Sequence, residues 1–168
     1  MIPTSTLTWR ICRISCFLAF TGFVTVSLES AALAEWRADR LCTGDDQVRL
    51  QITVAGVRNA RGTITINLYG DRDADFLKKG KRLSRIRVPA QMGEVVACMS
   101  VPTPGSYAIS LYHDEDGSKK LSKNFLGLPK EGYGFSRDAP VSYRLPDLDE
   151  AVFTALPGDT RIRVTMRY

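Results

Sequence analysis

Residues 47–70 read QVRLQITVAGVRNARGTITINLYG. Apolar residues alternate with polar ones in both halves of this stretch, and a segment containing asparagine and glycine separates the halves. Alternation with a period of two places every second side chain on the same face of a β-strand. The alternating apolar residues are Val48, Leu50, Ile52, Val54, Ile64, Ile66 and Leu68. The stretch therefore predicts two strands joined as a β-hairpin.

The same alternation recurs in five later segments, residues 84–90, 94–101, 106–113, 150–155 and 160–168. Turn sequences such as PTPG and LPGD lie between most of them. Seven short strands without a long helical pattern predict an all-β domain. We expect a seven-stranded antiparallel β-sandwich of the prealbumin-like or immunoglobulin-like type.

One short helix is expected within residues 71–82, DRDADFLKKGKR. Acidic residues at its start, lysines at its end and Gly80 just beyond match the preferences of helix ends. Asp71, Asp73 and Asp75, spaced by two, also suit a hard cation. We favour the helix start, or a plain acidic turn, because no glycine or backbone-turn signal completes a calcium loop.

The N-terminal residues resemble a secretory signal peptide. Arg10 and Arg13 precede an apolar run over residues 14–28, and the sequence Ala-Leu-Ala at residues 32–34 suits cleavage before Glu35. A retained membrane anchor is the alternative, but the run is shorter than the roughly 20 residues that a membrane span needs. We expect a leader over residues 1–34, one domain over residues 35–168, and a periplasmic or secreted location.

Two cysteines, Cys42 and Cys98, follow the predicted leader. In an oxidising compartment two such thiols are normally joined, so we expect a disulfide between them. The alternative, a metal or redox site, favours CxxC spacing or nearby histidines, which the sequence lacks.

Basic residues alternate with apolar ones in two of the predicted strands. They are Arg85 and Arg87 in one strand, and Arg161, Arg163 and Arg167 in the other. If the two strands are neighbours, they form a cationic face for an anionic ligand of the cell envelope; a solvated strand face is the alternative. Export and the absence of a recognised binding fold argue against nucleic acid as a partner, and membrane contact is expected only through the leader. The oligomeric state is not set by the sequence.

The segment YAISLYHDEDGSKKLSKNFLGLPKEGYGFS, residues 107–136, resembles the bacterial exported family known as domain of unknown function 2141. The resemblance extends over most of the chain from VAGVRNARGTITINLY onwards. It implies an exported β-sandwich. It implies no activity, because the family has no established one.

The family pattern also implies a calcium-like loop in this segment. Asp114, Asp116 and Ser118 match its first, third and fifth positions, but the glycine has moved to Gly117 and Ser122 replaces the ninth-position acid. Three lysines within ten residues offset the three acids. We therefore favour an Asp- and Gly-rich turn and expect no cofactor, with a calcium-stabilised structural module of the envelope as the alternative function.

His113 is the only histidine in the chain. A hydrolase that uses it with Asp114 or Glu131 is a further alternative. A lone histidine at a strand end is more often structural, and no nucleophile signature such as GxSxG follows the leader. We expect a protein without enzymatic activity.

The long connection over residues 113–136 is the predicted contact site for a protein or an envelope ligand. Glycines and Pro129 shape its second half, Tyr133 and Phe135 supply apolar surface, and Lys130 and Glu131 lie at its rim with His113. The alternative is that the two aromatic rings close the end of the sandwich. We favour a binding or interaction module.

Overall fold

A computed structural model describes residues 48–122, 129–142 and 144–168. The predicted leader and Cys42 lie outside these residues. The strands are β1 (Val48–Val57), β2 (Thr63–Tyr69), β3 (Ser84–Pro89), β4 (Gly93–Val101), β5 (Gly105–Asp114), β6 (Tyr133–Phe135), β7 (Phe153–Ala155) and β8 (Gly158–Thr165), and helix α1 spans Leu148–Ala151. The predicted all-β class is confirmed. Within the described part of the chain, no helix is long and apolar enough to cross a membrane.

The strands form two sheets. One has the order β4-β1-β8, the other has the order β3-β2-β5-β6, and β7 also pairs with β5. The prediction of a wholly antiparallel arrangement is wrong, because β1 and β8 run parallel with Ile52 opposite Ile162. Parallel neighbours need a crossover connection, and here the chain passes through the other sheet before β8 returns beside β1.

The predicted β1–β2 hairpin is also wrong, since the two strands lie in different sheets. Residues 58–62 carry the chain from one sheet to the other, so that the alternating faces of β1 and β2 both point into the core. Gly62 permits this path: its φ is +70°, and a Cβ there would lie 1.9 Å from the carbonyl oxygen of Asp114. Alternation identified the strands but not their partners.

Side chains from both sheets meet in one hydrophobic cluster, which includes Leu50 and Ile52 of β1 and Ile64 and Ile66 of β2. A second cluster joins neighbouring residues of β2 and β5 to later parts of the chain. Its buried members are Tyr69, Phe76, Ala108, Phe135, Ala139, Leu148 and Ala151. Strands β2 and β5 are consequently buried on both faces, and the second face supports the candidate site.

The helix expected within residues 71–82 is reduced to a 3-10 turn over Asp73–Asp75. Phe76 ends the turn, since its φ of −62° and ψ of 130° are extended, and its ring packs edge-on against Tyr69 at 5.5 Å. The short helix is α1 instead, in a segment predicted to begin a strand. Glu150 accepts a hydrogen bond from the Asp147 N–H at 2.8 Å, as in a capping box.

The predicted single cationic face does not form, because β3 and β8 belong to different sheets. Two of its arginines are hydrogen-bonded to neighbouring strands. Arg85 donates to the Asn67 side chain at 2.6 Å, and Arg161 donates to the Gln51 side chain at 3.0 Å.

Candidate functional site

His113 lies near the end of β5 and is fully buried. Its Nε2 is 2.7 Å from the carbonyl oxygen of Arg61, and its Nδ1 is 2.8 Å from the hydroxyl of Tyr168. A carbonyl oxygen only accepts, so Nε2 carries the proton; in the neutral ring, Nδ1 then accepts from Tyr168. Both ring nitrogens are therefore engaged, and the imidazole ties β5 to the β1–β2 connection.

Glu115 lies beside this histidine and is held by two arginines. Arg58 donates to both carboxylate oxygens, at 2.6 and 2.8 Å, and Arg61 adds a contact at 3.3 Å. The hydrogen bonds from Arg58 lower the pKa of Glu115 from 4.5 to about 2. We call Glu115, Arg58, Asn59, Arg61, His113 and Tyr168 the Glu115 network; Asn59 also donates to Glu115 at 3.2 Å.

Tyr168 completes this network. Its hydroxyl accepts a hydrogen bond from the Arg58 N–H at 3.0 Å, and the Arg58 guanidinium lies 4.3 Å from the centre of its ring. Burial raises the pKa of Tyr168. Gly132 allows the ring to approach, since a Cβ there would lie 2.5 Å from it.

Three carboxylates meet on the other side of the same loop, and we call Asp114, Asp116 and Glu131 the carboxylate cluster. One oxygen from each lies within 4.8 Å of the other two. Asp114 and Glu131 are buried, whereas Asp116 is exposed. Backbone amides orient them: the Lys119 N–H donates to Asp114 at 2.9 Å, and the Ser118 N–H donates to Asp116 at 2.9 Å. The hydrogen bonds from Ser118 lower the pKa of Asp116.

Glu131 joins two parts of the loop. Its two carboxylate oxygens accept hydrogen bonds from the N–H groups of Glu115, at 2.9 Å, and Ser122, at 2.8 Å. The buried side chain thus fixes the start of the loop against its return to β6.

A cleft of about 380 Å³ lies between strands β5 and β6 and the segment that follows them. Tyr133 and Phe135 line it together with Tyr112, whose buried hydroxyl oxygen has no hydrogen-bond partner among the described residues. The remaining lining is mostly apolar: Tyr69, Leu77, Ser110, Leu111, Leu121, Pro129, Val141, Ser142, Arg144 and Leu145. We call this feature the apolar cleft.

One family model, described as "Uncharacterized protein conserved in bacteria (DUF2141)", matches residues 52–163. The chain belongs to this family. The match runs from β1 to β8 and includes the carboxylate cluster, the apolar cleft and every member of the Glu115 network except Tyr168. No curated protein and no solved structure matches the chain.

In this DUF2141 chain, the predicted contact residues fall into two groups. His113, Glu131 and Phe135 are buried, which leaves them little surface to offer to a partner; Phe135 belongs to the second core cluster. Lys130 is exposed and Tyr133 is half-buried. Phe135 therefore both packs in the core and lines the apolar cleft, while Tyr133 is the more accessible ring.

The predicted metal ligands Asp114 and Asp116 lie together, but Ser118 is used differently. Its hydroxyl donates to the carbonyl oxygen of Lys120 at 3.0 Å. The third carboxylate comes from Glu131. Loop spacing alone did not identify Glu131 as a partner, because the chain must turn back towards β6 to bring it there.

Sequence reasoning did not identify Tyr112, Arg58 or Tyr168 as site residues. A signal for Tyr112 was present: five of the seven residues 107–113 are apolar, a composition typical of a strand buried on both faces. Arg58 and Tyr168 carried no such signal, since their roles depend on the crossing of residues 58–62 between the sheets.

Cys98 lies half-buried on β4, opposite Gln51 of β1. The expected partner Cys42 lies outside the described residues, so the pairing of these two cysteines stays a prediction.

Proposed function

We propose that this chain is an exported binding module without enzymatic activity and that its contact site is the apolar cleft. The observation that supports this is the buried Tyr112 hydroxyl, which has no partner among the described residues and belongs to a residue lining the cleft. Buried polar groups are nearly always hydrogen-bonded. A ligand with an apolar body and one hydrogen-bonding group satisfies both the hydroxyl and the surrounding rings.

The size of the apolar cleft supports a small occupant. Ligand pockets generally fall between about 300 and 1,000 Å³ and combine apolar walls with a few polar groups. This cleft lies near the lower limit. We therefore propose a small amphipathic molecule or a single side chain of an envelope protein, with Tyr133 as the accessible ring.

The rest of the proposal concerns the scaffold. We propose that the two sheets form a prealbumin-like or immunoglobulin-like sandwich, which the shared cluster of apolar residues from both sheets supports. Cleavage before Glu35, a periplasmic or secreted location and the Cys42–Cys98 bridge belong to the same proposal. Non-reducing peptide mapping of the purified protein tests the bridge and the cleavage site together.

The hydrolase alternative receives no support from the geometry of His113. A general base needs a free lone pair within reach of its substrate, whereas this buried ring has both nitrogens hydrogen-bonded. Glu131, one of its two candidate partners, is occupied by two backbone amides. We therefore keep the non-enzymatic role in the proposal.

Fluorescence of the neutral dye Nile red tests the apolar cleft. We expect the dye to brighten on binding and Leu145→Glu to weaken its affinity about tenfold, since a charge at an apolar wall must be desolvated. Leu156→Glu is the matched control, because Leu156 is 60% exposed, Leu145 is 57% exposed, and Leu156 lies outside the cleft. Equal affinities of the two variants would reject the cleft as the binding site.

Tyr112→Phe tests the hydroxyl separately. Removing a buried hydroxyl that has no partner should leave the melting temperature unchanged or raise it. At the same time the variant should bind less tightly any natural ligand that hydrogen-bonds there. A clear loss of stability would show that the hydroxyl already has an internal partner.

A further inference from the structure

We propose that Asp114, Asp116 and Glu131 form a calcium site. This inference does not depend on the proposed function of the apolar cleft. It begins from an electrostatic imbalance: one oxygen from each of three carboxylates lies within 4.8 Å of the others, and two of these residues are buried.

No lysine or arginine side chain among the described residues forms an ion pair with any of the three carboxylates. Within the described part of this loop, the ion pairs all belong to Glu115. Lys119 and Lys120 are exposed, and the contact of Lys119 with Asp114 is made by its backbone N–H. Buried carboxylates need a compensating cation or proton, because desolvation penalises their charged form.

Asp114 provides the second observation. It is 1% exposed, and its Oδ1 is buried without a hydrogen-bond partner among the described residues. Its other oxygen accepts from the Lys119 amide, which orients the carboxylate towards Asp116 and Glu131. A buried carboxylate that keeps one oxygen without a partner among the described residues and lies close to two further carboxylates is suited to a cation.

The geometry and the ligand type favour calcium. Ca²⁺ binds oxygens at about 2.3–2.6 Å, so oxygens that share one ion lie no more than about 5 Å apart. The three carboxylates meet this limit. Backbone hydrogen bonds already hold Asp116 through Ser118 and hold Glu131 through Glu115 and Ser122, so little ordering remains for the ion to impose.

The site also links distant parts of the loop. Asp114 ends β5, and Glu131 precedes β6, so an ion bound between them fixes the two ends of the connection to each other. This explains how the loop differs from the expected calcium pattern: Glu131 supplies the acid that the ninth position lacks.

Thermal unfolding and calorimetric titration of the purified protein with CaCl₂ test the proposal. If calcium binds with the affinity typical of extracellular modules, millimolar calcium should raise the melting temperature by roughly 5 °C, and EGTA should reverse the rise. An unchanged melting temperature together with no binding heat would overturn the proposal. An equal response to MgCl₂ would overturn the assignment of calcium.

Asp114→Asn gives the sharpest variant, because it keeps the shape of the side chain and removes one charge. In EGTA its melting temperature should equal or exceed that of the wild type, since like-charge repulsion is relieved, and calcium should no longer raise it. A retained calcium response would overturn the ligand assignment. Asp116→Asn, at an exposed position, keeps the test valid if Asp114→Asn fails to fold, and it should weaken calcium binding at least tenfold.

Asp149→Asn is the matched control. Asp149 belongs to a second group of three carboxylates, with Asp147 and Glu150, in which no residue is fully buried. Arg144 pairs with Asp147 at 3.2 Å and Glu150 at 2.8 Å, so this group already has a cation. The control should keep the full calcium response of the wild type, and a loss equal to that of Asp114→Asn would overturn the site.

Discussion

Asp114 and Glu115 are adjacent in the chain, yet their carboxylates have opposite surroundings. Glu115 is held by Arg58 and Arg61, whereas Asp114 lies against two further carboxylates and keeps one buried oxygen without a partner among the described residues. Consecutive side chains at a strand end point to opposite sides. The comparison shows that one strand end separates a carboxylate paired with arginines from a cluster of three carboxylates, for which we propose a calcium ion.

Gly62→Ala should have the largest effect, because it disturbs the backbone under both carboxylates. The new Cβ would lie 1.9 Å from the Asp114 carbonyl oxygen, and the φ of +70° would be strained for alanine. We expect a loss of about 4 kcal/mol in the free energy of unfolding, measured by urea denaturation.

Gly117→Ala is the control for backbone strain alone. Gly117 has a φ of +72° in the same loop, but a Cβ there meets nothing within 4 Å. It should lose only about 1 kcal/mol. Equal losses for the two alanine variants would show that the close approach of Gly62 to Asp114 contributes nothing.

Glu115→Gln tests the ion pair between Glu115 and Arg58. It removes the charge that Arg58 holds, and it places an amide donor opposite a guanidinium donor. The lowered pKa of Glu115, about 2, limits the loss in the free energy of unfolding to about 3 kcal/mol. Solvent weakens the pair because Arg58 is 44% exposed, so we expect a loss of about 2 kcal/mol at pH 7 by urea denaturation. Asp159→Asn, which breaks the exposed pair with Arg49, should change stability little.

The pH dependence of the same variant has a definite sign. The pKa of Glu115 is lowered by folding, so its contribution is fully present above its ordinary pKa of 4.5 and is lost as the pH falls towards 2. The stability gap between the wild type and Glu115→Gln should therefore close between pH 4.5 and pH 2. Treatment with EDTA at neutral pH, followed by exchange into metal-free buffer before the titration, removes any contribution from a bound ion. A gap that stays constant over this range would contradict the role of the Glu115 charge.

The strands were predictable from the sequence because alternation is a local property of each segment. Residues 47–70 contain two strands as expected. Whether they form a hairpin or cross between sheets depends on strands that come later in the chain. Strand β1 pairs with β4 and β8, whereas β2 pairs with β3 and β5. The parallel pairing of β8 with β1 could not be predicted from the sequence for the same reason. Local patterns determine faces, and long-range packing determines partners.

The candidate site was predictable only in part. The predicted contact segment, residues 113–136, contains the carboxylate cluster and four residues that line the apolar cleft, Leu121, Pro129, Tyr133 and Phe135. The roles of its residues differ from those predicted. His113 is buried against Tyr168 and the β1–β2 connection, which lie far away in the sequence. Glu131 accepts hydrogen bonds from the N–H groups of Glu115 and Ser122. Lys119 and Lys120, which offset the acids of this loop in the sequence, form no ion pair with them among the described residues.

Tyr168→Phe should have a smaller effect than Glu115→Gln. The Tyr168 hydroxyl serves both His113 Nδ1 and the Arg58 N–H, so its removal leaves two groups without this partner, at a cost of about 1 kcal/mol in urea denaturation. Tyr133→Phe, at a half-buried tyrosine, is the control and should change the free energy of unfolding by no more than about 0.5 kcal/mol.

Because His113 is the only histidine, its ¹⁵N signals are unambiguous and should report a proton on Nε2 in the wild type. A proton on Nδ1 alone would contradict this hydrogen-bond assignment.

Arg61→Ala should have the smallest effect and distinguishes the two arginines of the Glu115 network. Its guanidinium is 72% exposed and lies 3.3 Å from Glu115, so its loss should cost no more than about 0.5 kcal/mol by urea denaturation. Alanine also keeps the Arg61 carbonyl that accepts from His113. Arg58→Ala loses two short hydrogen bonds and the contact with the Tyr168 ring, and should cost about 2 kcal/mol. Equal stability losses for Arg61→Ala and Arg58→Ala would show that both arginines stabilise the Glu115 carboxylate to the same extent. The surroundings of Glu115 and Asp114 would then differ in the net charge around the loop, and not in one well-formed ion pair.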